Sequence, residues 1–390
     1  MSLKSTAQNL AASLYQRRYD KKRKAALAQT GRKPGVLFTS TSRSELGSNM
    51  LCVHRRMCEL GMDATHRIMF DLHASIADAQ SIGAQLAFID KLAAADVIFC
   101  DDYHPFLYLI DYPQDVKVVQ LWHAVGSFKT IGFARHRENA AEHQQQSRAH
   151  RSYTHVIVSA ECDRPHYAEA FGLPIERIHA TGVPRIDLIA DAGWQQEARA
   201  KFLQTLGPEQ RRKRIVLFAP TFRGEDVRAA SYDFSQLDLE RLAAWCRQSG
   251  SLLLLKFHPF TQGRPQIPAE LVDVVCDIST TREVNEVLPA AELLITDYSS
   301  VVYEASLLEI PMVFYAYDLE EYQRTRGFFE PYRDFVCGPV ASDMDGLMAA
   351  LDAGDDKTAV KAFRAKHFAH LDAHSTDRVI DLVFNGVPAR

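Results

Sequence analysis

Thr296-Asp297-Tyr298-Ser299-Ser300 follows the apolar run Leu293-Leu294-Ile295 and precedes a helix-like run over residues 301–309. A strand that stops at polar residues and opens straight into a helix leaves backbone N–H groups unpaired at the turn. Together with the helix dipole they make a seat for phosphate. The competing explanation is N-capping by Ser299 or Ser300 alone. Four other apolar runs end in the same manner. The run 118–121 leads into Trp122-His123, then Gly126 and Lys129. Ile178-His179-Ala180 leads into Thr181-Gly182-Val183-Pro184-Arg185-Ile186-Asp187, 215–219 into Pro220-Thr221-Phe222-Arg223, and 252–255 into Lys256-Phe257-His258-Pro259.

Each residue type suits one part of a phosphoryl transfer. Histidine takes a proton from a hydroxyl near neutral pH. Arginine grips phosphate oxygens through paired hydrogen bonds. Serine and threonine beside free backbone N–H groups complete an anion nest. Together these are the parts of a phosphoryl-transfer or nucleotide-leaving-group site. Plain structural roles compete at every position. His123 and His258 are two of 15 histidines, Pro184 and Pro220 can simply end strands, Arg185 can pair with Asp187, and Lys129 can be a solvated loop residue. Asp101-Asp102 reads as a surface turn, because neighbouring strand residues point to opposite faces and no further metal ligands are in view.

The elements that must carry these residues alternate between strand and helix. Strand-like runs fall at 36–40, 97–100, 116–121 and 155–159, and a second series at 215–219, 252–257, 272–276, 293–296 and 312–315. Helix-like runs include 49–60 and 76–93. Such alternation predicts an α/β protein with parallel sheets, whose ligands bind outside the carboxyl ends of the strands. The polar stretch 195–214, with Gly207-Pro208, is the expected linker. The expected organisation is a basic amphipathic segment 1–33, Rossmann-like domains at 34–195 and 196–356, and C-terminal helices at 357–390 that pack back on the first domain.

Composition agrees. The chain has 390 residues, 47% hydrophobic and 24% charged, enough for two cores. A net charge of −4 excludes a protein that coats nucleic acid through overall charge. No apolar run spans a bilayer and no signal peptide is evident, so a cytoplasmic location is expected. Seven scattered cysteines form no Cys-x-x-Cys pair, so neither zinc nor a disulfide framework is indicated. No phosphate-binding Gly-x-x-x-x-Gly-Lys loop and no Gly-x-Gly-x-x-Gly fingerprint occurs. Leu3, Ala7, Leu10 and Leu14 recur at helical spacing ahead of Arg17, Arg18, Lys21, Lys22, Arg23 and Lys24. That segment either lies on an anionic membrane face or packs as a surface helix on the first domain.

Taken in order, these segments resemble the CDP-glycerol glycerophosphotransferase family of teichoic-acid and capsule synthesis, in its shorter primase-like or single-module form. The residues 293–301, continuing through Pro311, Phe314-Tyr315, Asp318, Tyr322, Arg326-Gly327 and Gly338-Pro339, carry the likeness. The segments at 182–187, 219–223 and 256–259, Trp122-His123 with Lys129 and Gly132, and Gly47-Ser48-Asn49 add to it. Ala124 stands where the family usually has glycine, and Glu304 where aspartate is common. The resemblance implies two Rossmann-like domains facing across a cleft, as in GT-B glycosyltransferases. It implies a CDP-alditol donor, CDP-glycerol foremost, held by Ser299, Ser300, Thr296, Asp297, Arg223, His258, Thr221 and Pro220, with Arg185 and Lys129 as further substrate contacts. His123 and His258 would be the catalytic residues, His123 as the general base and His258 stabilising the charge that develops on the departing CMP. The acceptor would be a hydroxyl of a glycan or lipid-linked chain, with no cofactor, metal or nucleic acid. A nucleotide-sugar glycosyltransferase of the same architecture, or a non-catalytic nucleotide-binding assembly protein, are the alternatives.

Overall fold

A computed structural model describes residues 3–135, 150–224, 229–259, 261–354 and 356–386, with side chains from Ala12 onward. The apolar repeat Leu3, Ala7 and Leu10 therefore lies outside the described side chains. The chain forms two compact units, Met1–Asp187 with Phe368–Arg390, and Leu188–His367.

The first unit is built on six strands, β1 Gly35–Ser40, β2 Arg67–Leu72, β3 Val97–Cys100, β4 Lys117–Gln120, β5 His155–Ile157 and β6 Ile178–His179. They pair in parallel in the order β2-β1-β3-β4-β5-β6. Every residue of β1 and β3 is buried, as expected of inner strands covered on both faces by helices. β2 escapes detection as an apolar run because it is an edge strand, exposing Arg67 and Phe70 while burying Met69 and Asp71.

The second unit carries β7 Arg214–Phe218, β8 Ser251–Leu255, β9 Val275–Asp277, β10 Leu293–Thr296, β11 Met312–Tyr315 and β12 Val340–Ala341. Their parallel order is β12-β11-β10-β7-β8-β9. In each sheet one junction separates strands wound in opposite directions, β1/β3 in the first and β7/β10 in the second. Connections diverge there, which opens a crevice at the strand carboxyl ends.

The units break elsewhere than at the expected residues 195 and 357. The helix Thr358–His367 stays with the second unit. Its Phe363 ring lies 5.4 Å from Tyr303 on the helix Val301–Leu307, and Arg364 pairs with Glu309. The chain joins the first unit from Phe368 onward. There the N–H of Ala369 donates to the carbonyl of Ser159 at 3.0 Å.

The N-terminal helix Leu3–Leu27 is a packed part of the first unit. Tyr19 is buried against Tyr112. Arg23, 5% exposed, donates to the carbonyl of Ala95 and to the carboxylates of Asp96 and Asp115. Arg18 makes two parallel 2.7 Å bonds to Asp90. The other face leaves Leu14, Arg17, Lys21 and Lys24 exposed. Among the described residues no helix is long and apolar enough to cross a membrane.

Candidate functional site

In the second unit the expected residues converge on the β7/β10 junction. Asp297, 1% exposed at the end of β10, organises the turn. Its Oδ1 accepts the backbone N–H of Thr221 at 2.7 Å and of Tyr298 at 2.5 Å. Its Oδ2 accepts from Nη1 of Arg223 at 2.8 Å. Thr296 donates through Oγ1 to the carbonyl of Ala219 at 2.8 Å. One carboxylate and one hydroxyl thus join the loops after β7 and β10.

Ser299 and Ser300 stand half-buried at the mouth of this turn. Simple capping explains little here. Ser300, in the N-cap position of the helix Val301–Leu307, makes no side-chain cap bond. Ser299 Oγ accepts only a long 3.3 Å bond from the N–H of Val301. Pro220 and Thr221 are half-buried beside them, and Thr221 Oγ1 has no hydrogen-bond partner among the described residues.

Arg223 is placed as expected but occupied otherwise. Nε and Nη2 donate to the two oxygens of Asp318 at 2.5 and 2.8 Å, and Nη1 to Asp297 and the carbonyl of Thr221. Its guanidinium carbon lies 5.0 to 5.7 Å from the ring centroids of Tyr298, Tyr317, Tyr322 and Tyr232. Burial opposes its charge, but Asp297 and Asp318 outweigh that and hold the pKa above the ordinary arginine value. Arg223, expected as a phosphate clamp, ties Asp297 to Asp318 across this turn. Tyr298 stacks on Tyr322 at 3.9 Å and donates its hydroxyl to Asp318, while Tyr332 donates to the carbonyl of Asp297. Asp318 and this tyrosine wall carry no chemistry as isolated residues. Their meaning lies in Arg223, which sequence spacing does not connect to them.

His258, half-buried after β8, packs 5.0 Å from the Phe222 ring. Burial, and then Lys256, lower its pKa below the ordinary histidine value, with Glu283 opposing. A neutral ring is expected near pH 7. Lys256 itself is directed inward, donating from Nζ to the carbonyl of Ser279 at 3.0 Å.

The first unit gathers a second group at the β1/β3 junction and the adjoining end of β4. His123 is half-exposed, with Nδ1 3.6 Å from Oδ1 of Asp102, and it stacks on Trp122 at 4.5 Å. Burial lowers its pKa, Arg185 and Arg43 lower it further, and Asp102 and the Asp101 carbonyl pull it back up. Asp101-Asp102 is no surface turn. Asp101 has no exposed surface and lies 3.6 Å from Nη1 of Arg43. Burial pushes its carboxyl up to about 6. Arg185 is half-buried, and its backbone N–H donates to Oδ1 of Asn49. It does not pair with Asp187. Asp187 instead accepts from the N–H groups of Ser375 and Thr376 and from the Thr376 hydroxyl at 2.6 to 2.8 Å. Gly182, at φ +82°, is required at that joint because a Cβ would meet Ser375 Oγ at 2.3 Å. The segment 182–187 is therefore partly a docking seat for the helix Ser375–Ile380. Lys129, half-buried in the loop after β4, completes the expected set.

The first unit thus offers an imidazole beside a carboxylate, and the second a turn where the Thr221 hydroxyl has no hydrogen-bond partner among the described residues.

Known proteins bear out the fold and the family. The wall teichoic acid polymerase TagF superposes with a TM-score of 0.72 over 99% of this chain and 98% of its own, at 17% identity. The teichoic acid ribitol-phosphate polymerase TarL of Staphylococcus aureus is 40% identical over 350 residues, 90% of this chain and 62% of its own length. The chain therefore spans about three fifths of that relative. The teichoic acid glycerol-phosphate primase of Bacillus subtilis is 28% identical over 74% of this chain and 73% of its own. The family profile of CDP-glycerol:poly(glycerophosphate) glycerophosphotransferases matches residues 23–385. With the site geometry and that match covering nearly its whole length, the chain belongs to the CDP-glycerol:poly(glycerophosphate) glycerophosphotransferase family.

Proposed function

We propose that this protein transfers an alditol phosphate from a CDP-alditol to a hydroxyl of a teichoic-acid-like or other glycan acceptor, with release of CMP. The observation that carries this is the turn organised by Asp297 at the β7/β10 junction, where Ser299, Ser300 and Thr221 present hydroxyls beside it. Such a turn suits a pyrophosphate. The acceptor oxygen attacks the phosphorus that bears the alditol. The bond from that phosphorus to the CMP oxygen breaks, and CMP departs with the electron pair. His123 takes the acceptor proton at Nε2, since Nδ1 is turned toward Asp102. His258 and the turn stabilise the charge growing on the leaving phosphate. The mechanism requires a donor seated on the second unit to be reached by His123 of the first.

Ribitol is favoured over glycerol as the alditol, because the relative at 40% identity is named for ribitol phosphate and the one at 28% for glycerol phosphate. The test is CMP release from CDP-ribitol, CDP-glycerol and nucleotide sugars, with the acceptor product weighed by mass spectrometry. CDP-ribitol is expected to turn over fastest. Turnover of a UDP-sugar alone would reassign the protein as a sugar transferase, and binding of CDP-alditols without any turnover would make it a binding protein.

The exposed stripe Arg17, Lys21 and Lys24 fits an anionic membrane face, each cation being worth about 1 kcal/mol near such a surface. Deleting the segment is the wrong test, since it would strip Arg23 from Asp96 and Asp115. Substituting Arg17, Lys21 and Lys24 by glutamate should abolish flotation with phosphatidylglycerol vesicles and leave the melting temperature unchanged. Undiminished flotation would remove the stripe from the account.

A further inference from the structure

Trp122, next to His123, stands at φ +51°, a left-handed conformation that a bulky side chain holds only under constraint. Two buried amides supply the constraint. The N–H of Trp122 donates to Oε1 of Gln120 at 2.9 Å. Its carbonyl accepts from Nδ2 of Asn49 at 2.7 Å, and the same nitrogen reaches the carbonyl of Leu121 at 3.2 Å. The remaining groups of these amides reach outward to the neighbours of His123. Asn49 Oδ1 accepts the N–H of Arg185 at 2.9 Å, and Gln120 Nε2 donates to the carbonyl of Asp102 at 3.0 Å. Neither Asn49 nor Gln120 has any exposed surface.

We propose that Asn49 and Gln120 are positioning residues that clamp the Trp122 peptide from both ends and thereby set His123 against Asp102 and Arg185. The two side chains join the segments that follow β1, β3, β4 and β6, which are the segments that carry Asn49, Asp102, His123 and Arg185. The Trp122 ring stacks on the imidazole at 4.5 Å and packs edge-on to Phe171 at 5.3 Å. Fixing the Trp122 backbone therefore fixes the plane on which His123 lies. Hydrogen bonds in so buried a place have no water to replace them, so losing one partner releases the strained peptide rather than re-solvating it. The two amides hold different backbone groups of Trp122 and are not interchangeable. Asn49 holds its carbonyl and Gln120 its N–H. The catalytic consequence rests on His123 being the base of the proposed reaction, whereas the positioning itself does not.

The experiment measures the His123 imidazole titration by NMR in the full-length chain, the resonance being assigned by its absence from His123→Gln. It also measures CMP release from CDP-ribitol with acceptor. The variants are Asn49→Ala and Gln120→Met. Both are uncharged, so neither alters the field of Asp102, Arg43, Arg185 or Asp101 by its own charge. In the native protein the imidazole titrates below the ordinary value, for the reasons of burial and neighbouring arginines given above. In each variant the loosened ring should titrate closer to the ordinary value of about 6.5. The kcat should fall on the order of 10²-fold, as expected for a misplaced reacting group, with KM for CDP-ribitol unchanged. Should Asn49→Ala fail to fold, Gln120→Met, which fills a similar volume, decides the matter alone. An unmoved titration overturns the proposal, as does a moved titration with transfer intact where His123→Gln itself loses transfer. A transfer loss that merely follows the fraction unfolded also overturns it, because simple structural support would produce that. If His123→Gln itself transfers normally, the base assignment fails while the titration still decides the clamp.

Discussion

Replacing His123 with glutamine should lower alditol-phosphate transfer by about 10²- to 10⁴-fold, the range expected for loss of a general base, while binding of the CDP-alditol stays as in the native protein. Glutamine keeps the approximate bulk against Trp122 but accepts no proton. The donor is held by groups of the second unit on the proposed mechanism, so its affinity has no cause to change. The pH profile supplies the more demanding check. His123 must be neutral to act as a base, so the rate falls as pH drops through its pKa. That pKa lies below the ordinary 6.5 because burial, Arg185 and Arg43 all disfavour the imidazolium, while Asp102 and the Asp101 carbonyl favour it. The acid limb of kcat/KM, which reports the free enzyme, should thus lie below pH 6.5. Asp102→Asn removes a stabiliser of the imidazolium and should move the limb to lower pH. Arg43→Gln removes an opposing charge and should move it to higher pH. Asp101 complicates the acid side, since its own carboxyl is held up to about 6 by burial. Asp101→Asn separates the two, for it should leave one ionisation where the native protein shows two. Limbs that fail to move in these opposite directions would show that His123 does not govern the rate.

The parallel sheets were readable because inner strands of an α/β protein are apolar on both faces. β1, β3, β8, β10 and β11 are buried along their whole length. β2 was not readable, since an edge strand alternates, and β12 is too short at two residues to leave a pattern, whereas Ile178-His179-Ala180 stood out as a short apolar run over β6. The strand-end placement of the polar residues was readable for a related reason. In a parallel sheet polar residues at the carboxyl end of a buried strand have one place to go, and that place is the crevice. What could not be read was which polar group answers which. Asp101 looked too polar to bury because its counter-charge, Arg43, comes from the loop after another strand. That Arg223 gives two of its N–H groups to Asp318 could not be read either, because Asp318 follows β11. Asp187 looked like a partner for Arg185, yet it holds a helix from the far end of the chain. Residue type carries the chemistry that is available, and tertiary pairing decides where it is used.

Arg223→Met should therefore destabilise the second unit by about 3–5 kcal/mol, the usual consequence of removing one member of a buried ion pair, and should abolish CDP-alditol binding as a result. Asp297 is 1% exposed, and Arg223 is its sole ionic partner among the salt bridges of the described residues. Asp318 loses both of its arginine hydrogen bonds in the same substitution. The cations over the tyrosine rings go as well. Lysine is not an adequate replacement, for a single ammonium cannot reproduce the planar fork that meets Asp318 with two bonds and Asp297 with a third. Arg223→Lys should thus retain only part of the stability, and donor affinity should fall along with it. Urea denaturation of each variant, read beside CDP-ribitol affinity well below the unfolding midpoint, separates the two roles open to this arginine. If Arg223 grips phosphate directly, affinity falls while the denaturation midpoint holds. If it locks the turn, the midpoint falls first, and affinity declines because the N–H groups of Thr221 and Tyr298 no longer share one carboxylate oxygen. Affinity lost at unchanged stability would overturn the locking role and return Arg223 to the phosphate.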